Sequence, residues 1–161
     1  MAELVAGIGD IVISGNVNDC LKTYALGSCV AVIIYATDQK VAALAHVALP
    51  DSSLAGDRGS KKAGYFADTS IPEMVRLLKK LGIQSPCQVW VKLVGGANLL
   101  NSNRKFDIGK RNVLAIRKQL WKYRLGAIEE AVGGRISRTV SVNVKDGRIE
   151  VFSPKTGKMD L

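Results

Sequence analysis

The sequence is poor in the residues that most enzyme signatures require. Its 161 residues include one histidine, His46, three cysteines and four prolines. Any nucleophile that needs an imidazole partner must therefore use His46. The cysteines, Cys20, Cys29 and Cys87, are an odd number with no framework spacing and no CxxC. That excludes a disulfide scaffold and leads us to expect a reduced, cytoplasmic protein. A Cys3His zinc site exists by count alone, because no two of its ligands are closely spaced, so no metal is expected. GxSxG, GxGxxG and a P-loop are missing. Lys155-Thr-Gly-Lys lacks both the first glycine and the strand-to-helix context of a phosphate loop. The longest apolar runs, residues 30–36 and 41–49, fall far short of the ~20 residues that span a membrane, so no membrane insertion is expected. The first residues carry neither a basic n-region nor an apolar h-region, so secretion is not expected either. Phe, Tyr and Trp total only nine, and no recognised nucleic-acid-binding motif is present. No nucleic-acid partner is expected.

What is present is charge asymmetry and a mixed pattern of strands and helices. The net charge is +9, yet residues 1–60 carry −3 and residues 61–161 carry +12. A positive face follows, suited to an acidic partner. The length bounds the chain to a single domain, 1–161. Residues 10–14 and 22–25 read as short extended segments. The β-branched run at 30–36, the polar turn Thr37-Asp38-Gln39-Lys40 and the apolar run at 41–49 read as a hairpin buried on both faces. Residues 51–69 form the longest loop. Ser70-Ile-Pro-Glu73 resembles a capping box opening a helix whose stripe is Met74, Val75, Leu77, Leu78 and Leu81, closed by Gly82. Residues 87–94 alternate as a strand ending in Gly95-Gly96-Ala97. A second helix is expected over 111–124. Strands follow at 127–132, 138–144 and 148–152, the last two joined by Asp146-Gly147. Strands outnumber helices, so the fold class is α/β with a layered, mostly antiparallel sheet.

Hairpin register selects one cysteine. If the two strands turn symmetrically about Asp38-Gln39, paired residues sum to 77. Cys29 then faces Ala48, and His46 lies diagonally adjacent on the same face, within reach by choice of rotamer. One bulge would reverse the parity and move His46 away. Gly27-Ser28 precedes Cys29, so backbone N–H groups there are candidates to face a developing oxyanion. His46 beside Cys29 is expected to lower the thiol pKa and shuttle protons. Thr23, six residues upstream, is a candidate third group to orient the imidazole. The plain alternatives stand beside this. A buried cysteine is commonly a small hydrophobe, a lone histidine in an apolar strand a satisfied core residue, and a strand threonine ordinary β-propensity.

At these residues the sequence resembles the chemoreceptor glutamine deamidase family, CheD. The similarity runs from about Gly15 to Phe152. It rests on Thr23, Gly27-Ser28-Cys29-Val30, and His46-Val-Ala-Leu49-Pro50. Gly95-Gly96-Ala97, Ile108-Gly109 with Arg111-Asn112, and Gly133-Gly134 with Arg138 follow in the family's order. Ala48 stands where a bulkier residue such as Met is common, and no aspartate precedes Gly133-Gly134. The resemblance implies an α/β sandwich similar to the catalytic domain of cytotoxic necrotizing factors. It implies a cytoplasmic enzyme that deamidates glutamines of methyl-accepting chemotaxis receptors, without cofactor or metal. Cys29 would be the nucleophile, His46 base and acid, Thr23 the orienting group, and Ser28 a substrate-binding residue. A CheC-type phosphatase is an implied partner. The rival reading is a non-catalytic basic adaptor that binds chemoreceptors or the CheC phosphatase.

Overall fold

Two adjacent, almost wholly apolar runs are stable as neighbouring strands only if both faces of the pair are covered. The structure, a computed structural model describing residues 2–56, 62–100 and 107–161, covers both. In chain order the elements are β1 (Glu3–Val5), β2 (Ile11–Ser14), β3 (Cys20–Leu26), β4 (Val30–Ala36), β5 (Val41–Val47), α1 (Ala67–Lys80), β6 (Val89–Gly95), α2 (Ile108–Lys122), β7 (Ala127–Val132), β8 (Arg138–Asn143), β9 (Ile149–Ser153) and β10 (Gly157–Asp160). The strands form two five-stranded sheets, β1-β3-β8-β9-β10 and β2-β5-β4-β6-β7. Both are mixed: β1 runs parallel to β3 and β7 parallel to β6, and every other pairing is antiparallel. Every residue of β4 and β5 is buried.

The second sheet is the middle layer. Its face bearing Ala31, Ile33, Tyr35, Ala42 and Leu44 packs on Leu21, Leu26, Val140, Val142 and Ile149 of the first sheet. Its other face, with Val30, Val32, Ile34, Ala43 and Ala45, packs on Ile71, Met74, Ile116 and Leu120 of the two helices. The hairpin keeps one register from Val30↔Val47 to Ala36↔Val41, so paired numbers sum to 77 throughout and no bulge breaks the parity. A bulge does occur in β3, between Thr23 and Leu26, with Ala25 at φ 54°. It reverses the parity there: Thr23 and Leu26 both point inward while Tyr24 and Ala25 are exposed. The bulge thereby turns the chain from the first sheet into the second at Gly27-Ser28-Cys29.

Several boundaries differ from the sequence expectation. α1 begins at Ala67, not at a Ser70 capping box; Ser70 is buried inside the helix and Pro72 sits in its second turn. The start is fixed by tertiary contact instead, because the Ala67 N–H donates to Leu49 O at 3.0 Å. Leu81 leaves the apolar stripe and is half exposed at the helix end. α2 starts at Ile108, where Asp107 caps it by accepting from Lys110 N at 3.0 Å. Residues 86–88 form a single 3-10 turn closed by a Ser85/Gln88 capping box, so Cys87 is exposed in a turn and not in a strand. β1 and β10 lack any apolar pattern and are edge strands that exist only by pairing. The expected 51–69 loop is interrupted by 3-10 turns at Ser52–Leu54 and Ala63–Tyr65, and its residues 57–61 lie outside the described ones. Among the described residues no helix is long and apolar enough to cross a membrane.

Candidate active site

The open end of the β4–β5 hairpin brings the sequence candidates together. Ala31 pairs with His46, so Cys29 is the next residue of the chain on that same face. Its side chain packs against the inter-sheet cluster, as the parity predicts. Thr23 reaches the same place from the first sheet. It is fully buried, and its Oγ1 lies 2.7 Å from His46 Nδ1. This contact spans the sandwich between β3 and β5.

The hydroxyl also fixes the tautomer. Thr23 Oγ1 donates to the Ala6 carbonyl oxygen at 2.6 Å, an atom that can only accept. Its one proton is thereby used, so Oγ1 accepts from His46 Nδ1–H. The lone pair then sits on Nε2, which is buried and has no hydrogen-bond partner. The opposite tautomer would bury an unsatisfied N–H, the costlier arrangement. His46 is 3% exposed. The backbone around it is tied down on both sides: Gly9 N donates to His46 O at 2.9 Å and His46 N to Asp10 O at 3.1 Å.

Electrostatics place both groups in their neutral forms. Burial pushes the His46 pKa below its ordinary 6.5, against a smaller opposing pull from the Asp10 carboxylate and the Ala6 carbonyl. Burial likewise pushes the Cys29 thiol above its ordinary 9.0. The expected lowering of the thiol pKa by His46 is therefore overturned, because desolvation outweighs a neutral imidazole that offers no charge. No Cys29–His46 hydrogen bond is formed, since Nε2 is without a partner. Such bonds often tighten only when substrate excludes water.

The Gly27-Ser28-Cys29 turn is held by its carbonyls. Gly27 O accepts from Ala97 N, and Cys29 O from Gly96 N, each at 2.8 Å. Ser28 O accepts from Asn112 Nδ2 at 2.9 Å. Among the described residues, no backbone carbonyl accepts from the N–H groups of Ser28 and Cys29. Glycine is required beneath the turn: at Gly95 (φ 119°) a Cβ would stand 2.3 Å from Cys29 O. Arg138, 9% exposed, donates to Gly95 O at 3.3 Å and Gly133 O at 2.9 Å, joining the two glycine pairs. Cys29 opens onto a cleft of 440 Å³ lined also by Gly27, Ser28, Leu99, Leu100 and Ile108. Cys20 and Cys87 are elsewhere, at the far end of β3 and in the turn before β6.

Ala6, Asp10 and the role of Asn112 were not foreseen. Ala6 acts through its carbonyl and has no side-chain signature. Asn112 does leave a trace, as a polar residue on the inward face of α2 with Gly109, Val113, Ile116 and Leu120.

Fold and site define a class: a three-layer α/β protein whose sheet-crossing turn puts a free cysteine on the strand face of a histidine bonded to a buried threonine. The chain belongs to the CheD family, described as CheD chemotactic sensory transduction, which matches residues 48–153. It is 42% identical over 162 residues to the probable chemoreceptor glutamine deamidase CheD of Syntrophotalea carbinolica, covering 100% of both chains. It is 41% identical over 153 residues, 95% of each chain, to the probable chemoreceptor glutamine deamidase CheD 1 of Syntrophus aciditrophicus. A third relative, from Solibacter usitatus and named likewise, is 38% identical over 149 residues, 92% of this chain and 88% of its own. The family match begins after Cys29 and His46, whereas the first of these relatives aligns through them.

Proposed function

We propose that this chain is a protein-glutamine deamidase that converts selected glutamines of methyl-accepting chemotaxis receptors to glutamate. The observation that carries the mechanism is the Thr23–His46 hydrogen bond, which leaves a bare Nε2 on the face that Cys29 shares. The names of the relatives support the substrate.

The thiol proton moves to His46 Nε2 as sulfur attacks the carboxamide carbon. The N–H groups of Ser28 and Cys29 hold the tetrahedral oxyanion. The carbon–nitrogen bond then breaks, and the imidazolium returns its proton to the departing ammonia. Water attacks the resulting thioester while His46 takes its proton, and the carbon–sulfur bond breaks to give glutamate. His46 finally reprotonates the thiolate. Starting from a neutral pair suits this order, because the thiolate need form only as the substrate reacts. Thr23 holds the imidazole in the tautomer that each step uses. No cofactor enters the sequence. In this reading the fold is similar to the cytotoxic necrotizing factor catalytic domain, and residues 1–161 act as one domain in the cytoplasm.

Receptor signalling segments are rich in acidic side chains, and the exposed face of α2 offers Lys110, Arg111, Lys118 and Lys122 around Leu114 and Trp121. Docking on that face would weaken steeply with salt, and a salt-insensitive affinity would remove the assignment. A CheC-type phosphatase is the second partner in this reading.

The test is incubation with a purified receptor cytoplasmic fragment, followed by peptide mass spectrometry for glutamine-to-glutamate conversion and by ammonia release. Conversion by wild type and none by Cys29→Ala is the expected result. Binding without conversion would make the chain an adaptor.

A further inference from the structure

The β4–β5 ladder stops one rung short of the nucleophile. Its last pair is Val30↔Val47; the next would be Cys29 opposite Ala48. In place of that rung stands a side chain from the helical layer. Asn112 Nδ2 donates to Ser28 O at 2.9 Å and to Ala48 O at 3.0 Å. Both acceptors are carbonyl oxygens, so the amide must present its NH2 group to them, and both of its hydrogens are used. Oδ1 is left buried with no partner. The residue is fully buried on the face of α2 that otherwise holds Val113, Ile116 and Leu120. The structure thus uses this side chain through its two donors alone.

Those donors tie the residue before Cys29 to the residue two beyond His46. The other carbonyls of the turn, those of Gly27 and Cys29, are held by backbone N–H groups of residues 96 and 97. That strip is itself pressed against α2, where a Cβ at Gly109 would lie 2.5 Å from Ala97 O. Neither of those backbone bonds reaches the His46 strand; Asn112 does. We propose that Asn112 is a positioning residue that sets the separation of Cys29 from His46 by replacing the missing rung. This rests on the deamidase reading of the same site.

The experiment compares wild type, Asn112→Ala, Asn112→Asp and, as a control, Ile116→Ala. Ile116 is equally buried one turn along α2 but touches neither loop end in this way. Asn112→Asp keeps the volume and removes the paired donors, so it serves if the alanine variant does not fold. Thermal unfolding, kcat and KM on the receptor fragment, and the rate of Cys29 alkylation by iodoacetamide at pH 7 are measured for each. Asn112→Ala and Asn112→Asp should lower kcat by roughly 100-fold with KM little changed, as misplacement of about 1 Å does. Their Cys29 alkylation should also lose the dependence on His46 seen when wild type is compared with His46→Ala. Ile116→Ala should lower Tm without either change. A kcat in the Asn112 variants no lower than in Ile116→Ala, or an unchanged His46 dependence of alkylation, overturns the proposal. Wild type that alkylates in a His46-dependent way yet converts no glutamine sinks the deamidase reading, and leaves Asn112 to be judged by alkylation.

Discussion

The two ends of one hairpin are built to opposite standards. At the closed end, Ala36↔Val41 is the last rung, and among the described residues no buried side-chain polar atom of these two strands lacks a partner there. Tyr35 is 1% exposed and its hydroxyl donates to Val144 O at 3.0 Å. Its ring packs on Trp90 with centroids 5.3 Å apart, and Gly147 (φ 74°) fits against it where a Cβ would come within 2.7 Å. Lys40 Nζ donates to Lys145 O across the sheets. At the open end the same two strands finish among loose ends: a bare Nε2, an orphan amide oxygen and a half-buried free thiol. Local consistency stabilises the first end. The second end leaves two buried polar atoms without partners, His46 Nε2 and Asn112 Oδ1, and it is there that the proposed chemistry is placed.

The largest effect that separates the two ends should come from Cys29→Ser. Turnover of a receptor fragment falls by at least ~10³-fold while the unfolding midpoint stays close to wild type. Residual turnover near the wild-type rate would return Cys29 to the role of a small hydrophobe.

Next comes Thr23→Val, which keeps shape and loses the hydroxyl. The imidazole loses its tautomer lock and kcat drops roughly 10²-fold, with Thr23→Ser recovering most of it. Failure of serine to rescue would mean that packing, not the hydrogen bond, matters at this position.

The pH profile sharpens the same point. Burial holds His46 below 6.5, so the acid limb of kcat/KM lies below pH 6.5, and Asp10→Asn moves it lower still by removing the opposing charge. The sign for stability is fixed by the same shift. Unfolded chain binds the His46 proton more readily than folded chain, so stability falls as pH drops below 6.5. Cys29, raised above 9.0, is the mirror case: its contribution is lost as pH rises past 9.0. An acid limb above pH 6.5 would contradict the burial of the base.

The smallest catalytic effect should come from the closed end. Tyr35→Phe leaves Val144 O without its donor and lowers stability by about 1–2 kcal/mol, with kcat unchanged. A loss of activity there would show that the two ends are coupled through the strands.

Much of the site could be read in the chain because its strands are regular. Period-two alternation and a four-residue polar turn were enough to pair His46 with Ala31 and to put Cys29 on its face. A single histidine left no competing base. The same rule failed in β3, where the Thr23–Leu26 bulge breaks parity without any sequence mark. It failed at α1 too, where a capping pattern at Ser70 was overridden by a start fixed through Leu49.

By itself, then, the sequence determined the α/β class, the buried hairpin and its register, and with them the placing of Cys29 and His46 on one strand face, since each follows from local periodicity or from counting; Thr23 was singled out only by the family resemblance. Only the tertiary structure decided how those residues behave. The neutral thiol and imidazole follow from desolvation, which depends on the whole packed surroundings. The tautomer follows from the Ala6 carbonyl, and the missing rung is supplied by Asn112 from a helix 64 residues beyond Ala48. These are contacts between distant parts of the chain, and no local pattern encodes them.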